Sequence, residues 1–367
     1  MTSRERLLNT IKRKPTDRMP ITIYELCGYD YDAWYNNEPS YKKLMDIIRR
    51  DCDCLLMCDG TYIHKTFEGD EITEWREGFS AFKTTVRHTH LGDITERTRI
   101  DDNIHTLWRT EHFLKEIEDV DKYLSIPYEI PHIDMSDFFR KQSVMNENGV
   151  MLLTFEDPIC HIADLFGMEE LLIAILTETE KMQYFMDAVF ERKIFELQSI
   201  LKNNVKDVLF RLVGPEYATP PYVPNHLFRN MVTKYNKKFT EMIHEAGGLV
   251  RIHSHGKVRS VLDEFVYAGV DAIDPCEPEP WGDIPLCEIK EKYGEKLVVF
   301  GNIELLELEG SDESRVRDIV KDVTLTGNKN GGFVLMPTAT PINVPLTTKT
   351  ETNTLAMIET GLEYGRN

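Results

Sequence analysis

Several motifs that are common in enzymes are missing from this 367-residue sequence. There is no GxxxxGKS, GxxxxGKT or GxGxxG, so the usual glycine-rich cradles for nucleotide phosphates are absent. There is no GxSxG, which excludes the nucleophile elbow of many serine hydrolases. No apolar run approaches the roughly 18 residues of a membrane span, and the first residues lack the pattern of a secretory signal. Acid–base or metal-assisted chemistry remains as the main enzymatic option.

Positive charge is also scarce. The chain has 43 Lys and Arg against 62 Asp and Glu, a formal net charge of −19 at pH 7. Such a surface repels phosphate backbones, and no basic stripe interrupts it, so nucleic acid and membrane partners are not expected. The seven cysteines are an odd, scattered set, which favours free thiols in a reducing cytosol. Cys52, Cys54 and Cys58 lie in an apolar stretch, which predicts packed core thiols rather than a metal cluster.

Short apolar runs alternate with amphipathic helical segments along most of the chain, most regularly after residue 249. The pattern predicts eight strands in an α/β fold, a (β/α)8 TIM barrel that forms a single domain over residues 1–367. The predicted strands include 19–25, 54–57, 149–156, 205–213 and 249–253, and a helix is predicted to begin at residue 131. Residues 61–100 break the rhythm with polar–apolar alternation between turn residues. They predict antiparallel hairpins inserted over one end of the barrel. His88 and His90 fall on this amphipathic insertion, where we expect them to be solvated.

Active sites of such barrels lie at the C-terminal ends of the strands. Six of the eight predicted strands end in a carboxylate or an imidazole, although any one acid there is equally expected to meet solvent. The polar residues at these ends include Tyr24, Asp59, Glu156, Asp157, Glu216, Tyr217, His253, His255, Asp274, Glu277 and Asn302.

Two of these residues, His253 and His255, are one residue apart at the end of an apolar strand. Side chains alternate along a strand, so both imidazoles are expected on the same face, where they could share a metal ion. The alternative is a neutral core histidine at 253 and a histidine at 255 that orients a loop.

Short motifs in a fixed order resemble the uroporphyrinogen decarboxylase superfamily from about Thr2 to the C-terminus. They include the 253–257 stretch, Gly167-Met168-Glu169, Gly269-Val270-Asp271, Gly301-Asn302-Ile303 and Gly332-Phe333-Val334-Leu335. The resemblance implies the barrel fold. The porphyrinogen decarboxylases of this superfamily carry an arginine-rich loop after the first strand. Residues 24–32 have no arginine and three acids here, so the chain looks closer to the corrinoid-dependent methyltransferases.

That second branch holds zinc through His-x-Cys, a later Glu and a final Cys. The resemblance therefore implies zinc ligands at His253, His255 and Glu277, whereas Thr338 falls where the final Cys is expected. Two imidazoles and a carboxylate suit an oxygen-bearing substrate better than a thiol. Glu156, Asp157 and Glu216 are the expected catalytic carboxylates. The residues expected to contact substrate are Tyr24, Asp59, Tyr62, Tyr217 and Asn302.

The resemblance implies a methyltransferase of one-carbon metabolism that moves a methyl group from a small, O-methylated donor to a corrinoid. The sequence has no Asp-x-His-x-x-Gly, so the corrinoid is expected on a partner protein. Two alternatives stay open: a uroporphyrinogen or related decarboxylase, and a barrel that binds a ligand or a corrinoid protein without catalysis. A homo-oligomer is compatible with the sequence.

Overall fold

A parallel sheet of seven strands forms the centre of the protein. The computed structural model describes residues 1–63, 70–102, 104 and 106–366. The strands are β1 (Cys54–Met57), β2 (Thr61–Ile63), β3 (Glu71–Glu77), β4 (Ser80–Arg87), β5 (Ile94–Asp101), β6 (Leu107–Glu111), β7 (His132–Asp134), β8 (Gly149–Glu156), β9 (Leu209–Val213), β10 (Leu249–Ser254), β11 (Ala272–Pro275), β12 (Val298–Ile303) and β13 (Phe333–Pro337). The central sheet has the order β1-β8-β9-β10-β11-β12-β13, and every pair in it is parallel.

The segment around Ile21 closes this sheet into a barrel. Thr22 N donates to Leu335 O on β13 at 2.9 Å, and Asp53 N, just before β1, donates to Ile21 O at 2.7 Å. The segment therefore fills the eighth position, which confirms the eight-stranded barrel. The predicted strand over 19–25 is shortened because Tyr24 has a left-handed φ of 42°, which turns the chain away from the sheet.

Helices follow most strands and cover the outside of the barrel. Within the described residues, none of them combines the length and the apolarity that a membrane crossing requires. The α-helices are Ser3–Ile11, Trp34–Asn37, Lys42–Asp51, Asp119–Leu124, Ser136–Met145, Pro158–Leu165, Met168–Thr177, Thr179–Leu201, Asn225–Phe228, Lys234–Glu245, Leu262–Ala268, Leu286–Tyr293, Leu305–Gly310, Glu313–Gly327 and Thr348–Tyr364.

The predicted hairpin insertion forms a four-stranded antiparallel sheet in the order β3-β4-β5-β6. It extends past residue 100 to Glu111, and its His88 and His90 are exposed as expected. β2 pairs instead with β7, in a segment where the sequence predicted the start of a helix at residue 131. Three residues are too few to show a strand period, so this pairing was missed. His64 and Gly69 of the predicted hairpins lie outside the described residues.

The side chains inside the barrel change from apolar to polar along the barrel axis. One end is filled by aliphatic side chains from the strands and from the helix Ser3–Ile11, including Leu7, Leu55, Leu209 and Leu249. Towards the C-terminal ends of the strands the inward positions become charged or polar. Cys52, Cys54 and Cys58 are buried, as predicted. The polar end of the barrel therefore carries a group of ionisable side chains above an apolar base. We refer to this polar end as the cup.

Candidate functional site

Three side chains converge at the polar end of the barrel. His253 lies near the end of β10, His255 directly follows that strand, and Glu216 lies in the 3-10 turn Pro215–Tyr217 after β9. One potential ligand atom from each of the three lies within 4.8 Å of the others. His253 Nε2 is 3.6 Å from Glu216 Oε2, and the two imidazole centroids are 4.8 Å apart. This spacing is compact enough for a single metal ion to contact all three.

Each histidine is oriented by its own carboxylate. His253 Nδ1 lies 2.9 Å from Asp274 Oδ2, and His255 Nδ1 lies 2.6 Å from Glu277 Oε1. Glu277 is fixed in turn, because Gly256 N donates to its Oε2 at 2.6 Å. A carboxylate at Nδ1 favours the tautomer that carries the proton there, and this leaves the Nε2 lone pair available. The arrangement is typical of histidines that bind a metal.

The two imidazoles differ electrostatically. Burial lowers the pKa of His253, which is 4% exposed and therefore stays neutral at pH 7. Burial also acts against protonation of His255, but its hydrogen bond to Glu277 and the charge of that residue outweigh burial, so the pKa of His255 is raised. Protonation therefore competes with metal binding more at His255 than at His253.

A buried ion pair stabilises the carboxylate that contacts one of the histidines. Arg251 Nε lies 3.0 Å from Asp274 Oδ1, and the side chains are 1% and 0% exposed. The guanidinium also lies 5.0 Å from the ring centroid of Phe300. Burial opposes ionisation of Asp274, yet the charge of Arg251 and the contact with His253 lower its pKa. Asp274 is thus an ionised carboxylate shared between Arg251 and His253.

Asp157, one of the predicted catalytic acids, makes hydrogen bonds that stabilise the fold. It caps the helix Pro158–Leu165 by accepting from Cys160 N at 2.9 Å, and its second oxygen accepts from Asn236 Nδ2 at 2.9 Å. Its side chain is inaccessible, and burial raises its pKa to about 7. Both oxygens have partners inside the protein, and its catalytic role stays a prediction.

Glu156 belongs to a separate network at the end of β8. Lys193 Nζ donates to Glu156 at 3.2 Å and to Glu196 at 3.1 Å. His161 Nδ1 lies 3.8 Å from the Glu156 carboxylate. Burial opposes ionisation of Glu156, but His161 and Lys193 outweigh it and lower its pKa. Glu156 is therefore an ionised partner of Lys193 rather than a source of protons at neutral pH.

The residues predicted to contact substrate are distributed around the cup. The Tyr24 ring centroid lies 6.2 Å from that of His253, so Tyr24 borders the candidate metal site. Asp59 accepts from Thr154 N at 2.7 Å, and Asn302 is buried and donates to Cys276 O at 2.9 Å. Tyr217 is half-buried in the same turn as Glu216.

Tyr62 lies with the second ionic network. Burial raises its pKa; the charge of Glu196 adds to this increase, and the charge of Lys193 opposes it. The structure therefore associates Tyr24 with the histidines and Tyr62 with the Lys193 network. Their roles in binding substrate stay predictions.

Glu304, which follows β12, is a site residue that sequence reasoning missed. Its Oε2 lies 3.3 Å from Thr338 Oγ1, and its buried Oε1 has no hydrogen-bond partner among the described residues. Burial and the charge of Glu277 raise its pKa to about 7. Thr338, where the superfamily's cysteine is expected, thus contacts an acid instead. The signal was present, since Glu304 directly follows the Gly301-Asn302-Ile303 strand end.

Glu304 should make the stability of the folded protein depend on pH, and this dependence can be measured. Its folded pKa is above the ordinary value, so the folded protein binds the proton more tightly and stability falls as pH rises from about 4.5 through 7. In metal-free protein, Glu304→Gln should reduce this fall in the free energy of unfolding by about 1 kcal/mol. This is less than the full pKa shift would give, because the carboxyl is partly exposed. Thermal midpoints between pH 5 and 8 measure it.

A matched change at the exposed Glu363 should leave the pH dependence as it is in the unmodified protein. The raised pKa of Asp157 also makes stability fall as pH rises. Asp157 is present in both the unmodified protein and Glu304→Gln, so the substitution removes only part of the fall in stability. Identical slopes for the unmodified protein and Glu304→Gln would contradict this account of Glu304.

Comparison with known proteins places this site in a family. A solved methyltransferase from Methanosarcina mazei is similar to the chain with a TM-score of 0.63 at 15% identity, over 99% of each chain, a likeness that shows the shared fold. No curated protein matches the sequence. The uroporphyrinogen decarboxylase (URO-D) family matches residues 156–361, more than half of the chain, and this stretch carries most of the cup. The protein therefore belongs to the uroporphyrinogen decarboxylase family.

Proposed function

We propose that this protein is a metal-assisted methyltransferase that moves a methyl group from a small O-methylated donor to a corrinoid carried by a partner protein. One observation carries the proposal: two histidines, each with Nδ1 held by a carboxylate, converge with Glu216 at the open end of the barrel. The fold shared with a solved methyltransferase supports it. The arginine-free segment 24–32 speaks against a porphyrinogen substrate, which carries many carboxylates.

The donor set fits a divalent metal such as zinc. His253 and His255 offer Nε2, and Glu216 offers a carboxylate oxygen, which makes a three-ligand site with room for a substrate atom. The sequence favoured Glu277 as the third ligand. Its Oε1 is instead 2.6 Å from His255 Nδ1, so we assign it to orienting that imidazole. When bound, the metal would supply Lewis-acid polarisation of the donor oxygen.

The chain's own groups supply orientation and a proton. During transfer the bond between methyl carbon and donor oxygen breaks, the methyl group passes to the corrinoid, and the electron pair stays on oxygen. Asp274 and Glu277 hold the imidazoles in place throughout. Glu304, with a pKa near 7, is partly protonated at neutral pH and is our candidate for the acid that protonates the departing oxygen.

A reconstituted assay tests this function. Zinc-loaded protein is mixed with reduced free cobalamin and a panel of small methyl ethers, and the visible spectrum is followed for methylcobalamin. We expect methylation with at least one ether, and loss of it in His253→Ala. His244→Ala is the matched control, because His244 pairs with Asp271 on the surface of the helical layer.

Two outcomes would overturn the proposal. One is release of carbon dioxide from uroporphyrinogen by the purified protein, which would establish the decarboxylase alternative. The other is the absence of methyl transfer from every ether, both with free cobalamin and with a purified corrinoid protein that binds the chain stably. That result would favour a binding barrel without catalysis.

A further inference from the structure

We infer that the protein has a second ligand site, for a small phosphate monoester, at the end of the barrel opposite the cup. The site is a cavity of about 310 Å³ between the end of the helix Ser3–Ile11 and the chain just before β13. Its lining includes Arg13, Lys14, Asn330 and Gly332. The inference does not depend on the proposed methyl transfer, which we assign to the other end of the strands.

The charge of this cavity is opposite to that of the protein as a whole. The chain carries 62 acidic and 43 Lys and Arg side chains. Among the described residues that line the cavity, the charged ones are Arg13 and Lys14, and both are exposed. No carboxylate oxygen of the described residues comes within the 4 Å of an ion pair with either cation. An anion that enters from solvent therefore meets positive charge at the wall of the cavity.

A third cation lies beside the cavity. Lys290 Nζ donates to Gly331 O and, at 3.4 Å, to Gly332 O, while Arg13 Nη1 donates to Gly294 O. A Cβ atom at Gly332 would lie 2.9 Å from Arg13 Nη1 and 3.7 Å from Lys290 Nζ, so both cations border this residue. Glycine is required there for space as well as for its φ of 67°.

These two cations repel each other, and neither has a contacting carboxylate among the described residues. Partial burial lowers the pKa of Arg13, and the charges of Glu295 and Asp271 offset this only in part. Burial and the charge of Arg13 lower the pKa of Lys290 to about 8. A bound anion would compensate both charges, and groups that gain from such compensation are typical of ligand sites.

A phosphate group matches this donor set better than a carboxylate does. Its two negative charges balance two cations, whereas a carboxylate balances one. The guanidinium of Arg13 can donate two parallel hydrogen bonds to phosphate oxygens, and a lysine binds phosphate as a point charge. Asn330 offers amide N–H donors at the same wall. The cavity volume reaches the range of small-molecule sites, so an ester can bind with more than its phosphate group.

Calorimetric titration of chelator-treated protein with glycerol 3-phosphate tests the inference, and inorganic phosphate and glycerol are the comparison ligands. We expect glycerol 3-phosphate to bind more tightly than inorganic phosphate, and glycerol not to bind. Arg13→Gln should weaken binding of the ester by about 10- to 100-fold, the range of a hydrogen bond to a charged group. Lys12→Gln is the matched control, because Lys12 pairs with Asp207 outside the cavity lining and should behave like the unmodified protein.

A second variant makes the test independent of the folding of Arg13→Gln. Lys14→Glu reverses an exposed charge of the lining and should also weaken binding of the ester. Circular dichroism checks that each variant is folded.

Four results would overturn the inference. The first is that glycerol 3-phosphate does not bind the unmodified protein at millimolar concentrations. The second is unchanged affinity in folded Arg13→Gln or Lys14→Glu, which would mean that the anion binds elsewhere, for example in the cup. The third is an equal loss in Lys12→Gln, which would indicate a general response to surface charge. The fourth is tighter binding of inorganic phosphate than of the ester.

Discussion

Glu216→Gln should weaken zinc binding more than Glu277→Gln does. Loss of a carboxylate that orients a metal-bound histidine typically costs about 10- to 100-fold in affinity, so this is the loss expected for Glu277→Gln. Glu216→Gln removes a proposed direct ligand and should exceed it, as should His253→Ala. The physical reason is that Glu216 faces His253 Nε2 at 3.6 Å, whereas Glu277 contacts the Nδ1 of His255. Competition with a chromogenic chelator measures the affinities.

The two carboxylate variants distinguish between Glu216 and Glu277 as the third ligand. Both replacements keep side-chain size and remove one negative charge, so each is the control for the other. If Glu277→Gln abolishes zinc binding and Glu216→Gln leaves it intact, Glu277 is the ligand, as the sequence suggested. Equal zinc content in the unmodified protein and in a His253→Ala, His255→Ala double variant would exclude the site altogether.

Asp274→Asn should cause the largest loss of stability among the changes considered, about 3–5 kcal/mol in the free energy of unfolding. The variant leaves the guanidinium of Arg251 buried with no carboxylate beside it, because Asp274 is its ion-pair partner at 3.0 Å. His253 loses its orienting partner at the same time. Urea unfolding at pH 7, followed by circular dichroism, measures the effect.

A surface pair supplies the control for Asp274. Glu264→Gln breaks the exposed ion pair with Arg229 and should cost less than about 1 kcal/mol. The folded pKa of Asp274 is lowered, so its contribution is complete at neutral pH and is lost progressively as pH falls from near the ordinary value of 3.8 towards the lowered one. A loss below 1 kcal/mol in Asp274→Asn at pH 7 would mean that Arg251 does not depend on this carboxylate.

The sequence was a good guide to the barrel strands and a weaker one to their ends. The strands near residues 54–57, 149–156 and 249–253 were predicted within a residue because their apolar runs are bounded by turn residues. The strand predicted at 205–213 begins only at Leu209, because the preceding apolar positions belong to a loop. The short β7 carried no period that could be recognised.

Candidate site residues were found where a local pattern encoded them. His253 and His255 lie two apart on an apolar strand, so their shared face follows from strand geometry alone. Glu304 had a comparable signal at a strand end and was overlooked.

By itself, the sequence determined the alternation of strands and helices, the family, the hairpin insertion and the paired histidines. All of these depend on short-range periodicity or on residues close together in the chain. Only the tertiary structure decided that Glu216 faces both imidazoles while Glu277 orients one of them. The reason is physical: distances between side chains on neighbouring strands depend on sheet register and loop conformation, which many residues set together. Spacing along the chain does not record them.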